Sequence, residues 1–162
     1  MKFEIEPTFD EKMRDRCAVM MSQSDPWITL NRGLEACQEA MRGEYKEVYI
    51  CREGEQLCGF IVLQMAGVFK GYIQSICVSP EMRDSGLGSA LIQFAEERIF
   101  SISPNVFMLV SAFNEKAFRL YARLGYEKIG TLKNFVIDGY DEILLRKTIG
   151  SLKNFSAKIR NS

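Results

Sequence analysis

Apolar residues recur at Phe9, Met13, Cys17, Met20 and Met21, the spacing of one buried helix face, and predict a helix over residues 9–22. Ahead of it, MKFEIEP reads as a short strand closed by Pro7. The stretch SQSDPW breaks the helix, because Ser-Asp-Pro is a turn or cap signal. A second helix is expected from about Asn31 through Leu34, Cys37 and Met41, stopping near Gly43. EVYICREGEQLCGFIVLQM reads as two strands joined at a Glu-Gly turn, a hairpin. A strand over residues 72–78 follows, ended by Ser79 and Pro80.

After a short polar loop, Leu87, Ala90, Leu91, Phe94 and Ala95 mark the buried face of another helix. NVFMLVSAF is an apolar run of strand length, as expected for a strand covered on both faces. Residues 114–124 are helical and stop at Gly125, and YEKIGTL and YDEILLRK supply two last strands. The order β-α-α-β-β-β-α-β-α-β-β predicts an α/β domain with a mixed central sheet flanked by helices. Residues 1–147 form one domain on this reading, and 148–162 a basic tail.

Composition narrows the picture only in part. A chain of 162 residues, 47% hydrophobic, has length for a real core. Lys plus Arg equals Asp plus Glu at 21 each, so bulk charge argues for neither nucleic acid nor an anionic membrane as partner. No apolar stretch approaches the roughly 20 residues of a membrane span. Five cysteines without a CxxC pair, and no histidine, leave no metal site to expect. An odd cysteine count without a signal peptide suits a reducing, cytoplasmic setting.

The chemistry begins at RDSGLG. Strand, polar loop, glycine pair and helix aim several backbone N–H groups and a helix N-terminus at one spot, which suits a phosphate. No lysine follows the second glycine and no GxGxxG is present, so neither common nucleotide loop is matched. Taken alone, the segment is equally readable as a tight turn that uses glycine for close packing.

A second segment, SAFNEKAFRLYARLGY, changes the balance. The two together resemble the GNAT superfamily of N-acetyltransferases. Its acetyl-CoA loop, [R/Q]-x-x-G-x-[G/A], is matched by Arg83, Gly86 and Gly88. Its N-x-x-A-x-x-x-Y-x-x-x-G-[FY] segment is matched by Asn114, Ala117, Tyr121, Gly125 and Tyr126. The resemblance covers about residues 45–147. DPW and NFVIDGYDEILLR are most similar to the branch that includes ribosomal-protein N-terminal acetyltransferases.

The resemblance implies an acetyl-CoA-dependent N-acetyltransferase acting on a primary amine, of a small molecule or of a peptide. The amides of Arg83, Asp84, Ser85, Gly86, Leu87, Gly88 and Ser89 would hold the pyrophosphate, and Arg83 would add charge or simply be an exposed turn residue. The pantetheine arm would lie beside Ile76, Cys77 and Val78, with an N–H near Val78 against the thioester oxygen. Tyr121, a phenol that stays protonated at neutral pH, would give its proton to the departing thiolate. Asn114 would cap its helix and touch the CoA arm, beside Ala117, and Arg123 is a candidate for the 3′-phosphate side.

For the acceptor, Trp27 is either an apolar wall or a core anchor, while Tyr72 and Gln74 would position substrate or water. The general base stays open. Many relatives place a glutamate where this chain has Tyr72, and the ribosomal-protein branch places one where it has Leu109. Glu142 and Asp141 are substitutes, although strand carboxylates are ordinarily just solvated. A water chain is a further possibility. A CoA-binding module without turnover, or a structural protein whose glycines merely turn the chain, remain alternatives. The exposed late strand and the tail leave room for a homodimer.

Overall fold

The computed structural model describes residues 3–156. The elements run β1 (Ile5–Pro7), α1 (Glu11–Ser22), α2 (Leu34–Ala40), β2 (Lys46–Glu53), β3 (Gln56–Gln64), β4 (Tyr72–Val78), α3 (Leu87–Phe100), β5 (Asn105–Ser111), α4 (Glu115–Arg123), β6 (Glu127–Leu132) and β7 (Glu142–Thr148), with one turn of 3-10 helix at Pro80–Met82. The seven strands form one sheet in the order β1-β2-β3-β4-β5-β7-β6. All neighbours are antiparallel except β4 and β5. The element order is the one the hydrophobic pattern predicts.

Helices cover both faces. On one face, α3 presents Leu87, Leu91, Ile92, Ala95 and Ile99 to β3, β4 and β5, in a core that also takes Tyr121 and Tyr126. Burying each of its four large aliphatic side chains favours the fold by about 1.5–3 kcal/mol. The other face packs Cys17, Met21, Cys37 and Met41 from the region of α1 and α2 onto Val48, Phe60, Val62 and Cys77. All five cysteines are buried and unpaired. Among the described residues, no helix is long and apolar enough to cross a membrane.

Three local expectations are corrected. Helix α1 starts at Glu11, where the Asp10 carboxylate accepts from the Lys12 amide, so Phe9 lies before the helix and is 82% exposed. Helix α2 is shorter than its apolar spacing suggests. Residues through Asn31 form turns, Asn31 takes φ 53°, and Leu34 is 43% exposed. Strand β5 buries Val106, Met108 and Val110 fully but Phe107 and Leu109 only in part, because no helix fully covers that side. The predicted tail begins at Thr148, still the last residue of β7, and residues 149–156 run alongside α3 near Gln93, Glu96 and Phe100. Its last basic residues, Lys158 and Arg160, lie outside the described residues.

What positions the site is a parting of the sheet. Strands β4 and β5 pair only at Tyr72–Phe107 and Ile73–Met108. On its other side β4 bulges, since Val62 faces Ser75 while Leu63 faces Ile73, leaving Gln74 as the extra residue. From Gln74 to Val78 the β5-facing edge of β4 therefore has no strand partner. A cleft opens there.

Candidate functional site

Three elements border the outer part of the cleft: the turn before α3, the first half of α3, and α4. Gly86 takes φ 91°, a left-handed value that swings the chain from the turn into the helix. Ser85 steadies this turn, donating from Oγ to the Met82 carbonyl at 2.6 Å and accepting from the Leu87 amide at 3.3 Å. Among the described residues, no backbone carbonyl accepts from the amides of Gly86, Gly88 or Ser89. Those three donors, with the positive end of the α3 dipole, face a groove of about 440 Å³. Its floor is Val78, Ala117 and Leu120, and Arg83, Lys116 and Arg123 bring positive charge to its edge.

The space over the glycines is real. A Cβ on Gly86 would meet nothing within 4 Å, and one on Gly88 would reach only Leu120 and Val78, both at 3.9 Å. Asp84, at φ 59°, is held by Lys116 at 2.8 Å in an exposed ion pair that depresses the Asp84 pKa. Asn114 caps α4, its Oδ1 accepting from the Ala117 amide at 3.3 Å.

Asn114 also lines a second, partly open cavity of about 140 Å³ between β4 and β5. The groove and the cavity thus meet at this residue, with Ile76 and Tyr121 on the cavity side. Tyr121 is 8% exposed, and burial pushes its pKa up to about 12. Its hydroxyl takes no hydrogen bond from the described residues, so a neutral phenol faces the cavity. Tyr72 is also pushed up to about 12, first by burial and then by the charge of Glu142, with Arg32 acting the other way.

Trp27 lines the cavity and packs against the core around α1 and α2. Gln74 lines the cavity too, but its Nε2 donates to the Ala40 carbonyl at 3.0 Å and so ties β4 to α2. The Cys77 side chain points into that same core, its Sγ 3.6 Å from Ser24 Oγ, which leaves only its backbone for the cleft. Asp141 accepts from the Asn134 amide at 3.1 Å and organises the β6–β7 loop.

Of the two readings weighed for Glu142, a substitute base and a solvated strand carboxylate, the second is corrected: the residue is 5% exposed and lines the cavity. Burial raises its pKa, opposed by a 2.7 Å hydrogen bond that Ser111 Oγ donates to its Oε1. The available signal is the alternation of β7. Ile143 and Leu145 pack into the α3 core, so Glu142 must face the opposite side, the side of the cleft.

The acetyltransferase (GNAT) family model matches residues 13–126, which takes in the groove, Tyr121 and the cavity lining except Phe135, Val136 and Glu142. The chain belongs to the GNAT family. An N-alpha-acetyltransferase of Sulfurisphaera tokodaii is 31% identical over 80 residues, covering 48% of each chain. An uncharacterised N-acetyltransferase of Methanocaldococcus jannaschii is 34% identical over 101 residues, covering 61% of this chain and 64% of the relative. The chain thus spans about half to two thirds of the length of these two relatives.

This GNAT fold is shared with the ribosomal-protein-S18-alanine N-acetyltransferase of Escherichia coli, at TM-score 0.71 and 17% identity, covering 93% of this chain and 96% of that one. It is equally shared with the aminoglycoside 6′-N-acetyltransferase of Enterococcus faecium, at TM-score 0.69 and 17% identity, covering 93% and 98%. Two such different acceptors on one fold mean that the acceptor must be argued from this chain's own cavity.

Proposed function

We propose that this GNAT protein transfers the acetyl group of acetyl-CoA directly to a primary amine, with Tyr121 as general acid. The observation that carries the reading is the junction at Asn114, which lines both a groove edged by free amides and a cavity holding a neutral, buried phenol. The amides of Gly86, Gly88 and Ser89, with Arg83, suit a pyrophosphate that needs no metal. Arg123 stands at the edge of the same groove, suited to a 3′-phosphate.

The unpartnered edge of β4 at Ile76, Cys77 and Val78 suits the pantetheine arm, which would add to the sheet like a short strand. A backbone N–H at Val78 would then meet the thioester oxygen as it gains negative charge. Tyr121 donates its proton to the sulfur as the C–S bond breaks, sparing an unfavourable free thiolate. Trp27 and Tyr72 form the walls beside the incoming amine.

Isothermal titration of CoA, followed by turnover of acetyl-CoA with a panel of amines, tests the reading. Micromolar CoA binding with transfer to at least one amine is expected. Binding with no transfer to any amine would leave a CoA-binding module, and no binding would leave only a fold. The five unpaired thiols fit a reducing, cytoplasmic compartment. Strand β6, at the edge of the sheet, is the surface through which a homodimer would form, and sedimentation would read it.

A further inference from the structure

The cavity that receives the amine has a simple charge pattern. Among the described residues lining it, Glu142 is the only carboxylate and Arg32 the only cation. The remaining surface is uncharged and mixed, with Trp27, Leu109 and Phe135 beside the polar groups of Gln74, Ser75 and Asn114. Glu142 is held from one side alone, by Ser111, and no described basic side chain pairs with it. A buried carboxylate with a single neutral partner is costly to keep ionised and accepts a cation or a proton readily.

We infer that Glu142 is the counter-ion and proton acceptor for the amine. The acceptor therefore presents one ammonium group on an otherwise uncharged body, such as a peptide N-terminus or a small monoamine. The inference rests on the acetyl-transfer reading above and names the acceptor class for that same site. A polycation fits poorly. Its second ammonium would find no further carboxylate on the described lining and would meet Arg32 at the wall.

The protons balance as follows. Glu142 takes one proton from the ammonium, freeing the nitrogen lone pair to form the C–N bond with the acetyl carbon. As the C–S bond breaks, its electron pair goes to sulfur, which takes the Tyr121 proton. The second proton on nitrogen returns to Tyr121 through water, and Glu142 releases its proton to solvent. One amine cation and one thioester thus give one amide, one thiol and one free proton. The titratable and charged groups that face Glu142 across the cavity are Tyr72 on β4, Tyr121 on α4 and Arg32 before α2. Beside it on the chain, Asp141 is engaged with Asn134. Both tyrosines stay neutral over the working range, so the rise of activity with pH reports Glu142 and the amine itself, and comparison with Glu142→Gln separates the two.

The test uses the full chain with acetyl-CoA and four acceptors: an alanine-terminated tripeptide amide, phenethylamine, spermidine and kanamycin. The two monoamines are expected to exceed both polycations at least about 10-fold in kcat/KM. Glu142→Gln keeps the Ser111 bond and the shape of the side chain. It should lower kcat/KM at pH 7 by about 10²-fold, the scale of a lost base, while CoA affinity stays within about twofold. The deficit should shrink as pH rises and the free amine deprotonates unaided.

Preference for the polycations, or an unchanged rate in Glu142→Gln, overturns the inference. So does loss of CoA binding in step with activity, which would make Glu142 structural. If the Gln variant does not fold, Glu142→Asp carries the test, and a pH profile identical to the wild type overturns the assignment. Wild-type protein that binds CoA but acetylates none of the four, nor any amine of the wider panel, defeats the acetyl-transfer reading itself. Transfer confined to amines outside the monoamine class defeats only this inference.

Discussion

Ser111 and Glu142 stand directly opposite one another on β5 and β7, and the serine hydroxyl gives the buried carboxylate its one hydrogen bond, at 2.7 Å. That pairing has a consequence for stability. Burial raises the Glu142 pKa above its ordinary 4.5, against the lowering effect of Ser111. A group whose folded pKa is raised contributes stability below its unfolded pKa and loses it as pH rises through the folded value. Glu142→Gln removes that loss. The melting temperature of the variant relative to wild type is expected to be higher at pH 8 than at pH 4. An unchanged difference across that range would mean the carboxylate is not desolvated.

Ser111→Ala acts in the opposite sense. It strips the one donor to the carboxylate, a hydrogen bond to a charged group worth about 1.5–3 kcal/mol. The Glu142 pKa then rises further, and the ascending limb of the pH–rate profile moves to higher pH. The same limb in wild type and Ser111→Ala would remove Glu142 from that profile.

Gly88 tests the phosphate groove more cleanly than Gly86. At Gly86, φ 91° makes any side chain strain the turn, so a weakened fold and a blocked groove would be read together. Gly88 sits inside α3 with no such φ, and its missing Cβ points between Leu120 and Val78. Gly88→Val places branched carbon beside the free amides at almost no helical cost, since Gly is the poorer helix former. CoA affinity should fall at least about 10-fold while stability changes by no more than about 0.5–1 kcal/mol. Calorimetry and thermal melting on one preparation decide it.

Trp27→Ala should show two effects, because the indole both lines the cavity and packs against the helical core. Its burial is partial, so the stability loss should be roughly 1–3 kcal/mol, below the 3–5 of a fully buried aromatic. The KM for the amine should rise by more than the KM for acetyl-CoA. Equal changes in both would assign the tryptophan to packing alone.

What the sequence discloses and what it hides divide along the range of the interactions. The α3 and α4 segments were legible because apolar spacing, the Asn114 cap and Gly125 at φ 94° are local signals. Phe9 and Leu34 kept the helical spacing without the burial, since the cap at Asp10 and the turn through Asn31 outweigh it. The parting of β4 from β5 and the bulge at Gln74 depend on pairing between distant segments. Glu142 is the clearest case. Its burial follows only once β7 is inserted between β5 and β6 and its register against Ser111 is known.

Tyr121→Phe removes one oxygen and keeps the ring. The hydroxyl has no hydrogen-bond partner among the described residues, and the ring packs near Tyr126 with centroids 6.3 Å apart. Stability should therefore change by no more than about 1 kcal/mol. With its pKa near 12, the phenol is neutral throughout the working range, so wild-type activity should show no falling limb from its ionisation below about pH 10. If Tyr121 protonates the sulfur, kcat falls roughly 10²–10³-fold in the Phe variant while CoA binds as before. A thioester of a more acidic thiol should recover part of that loss, because its leaving group departs without a proton. The rescue separates an acid from a residue that only shapes the cavity: lost packing would depress both thioesters equally. Full activity in Tyr121→Phe would pass the proton to water and leave Tyr121 as a wall.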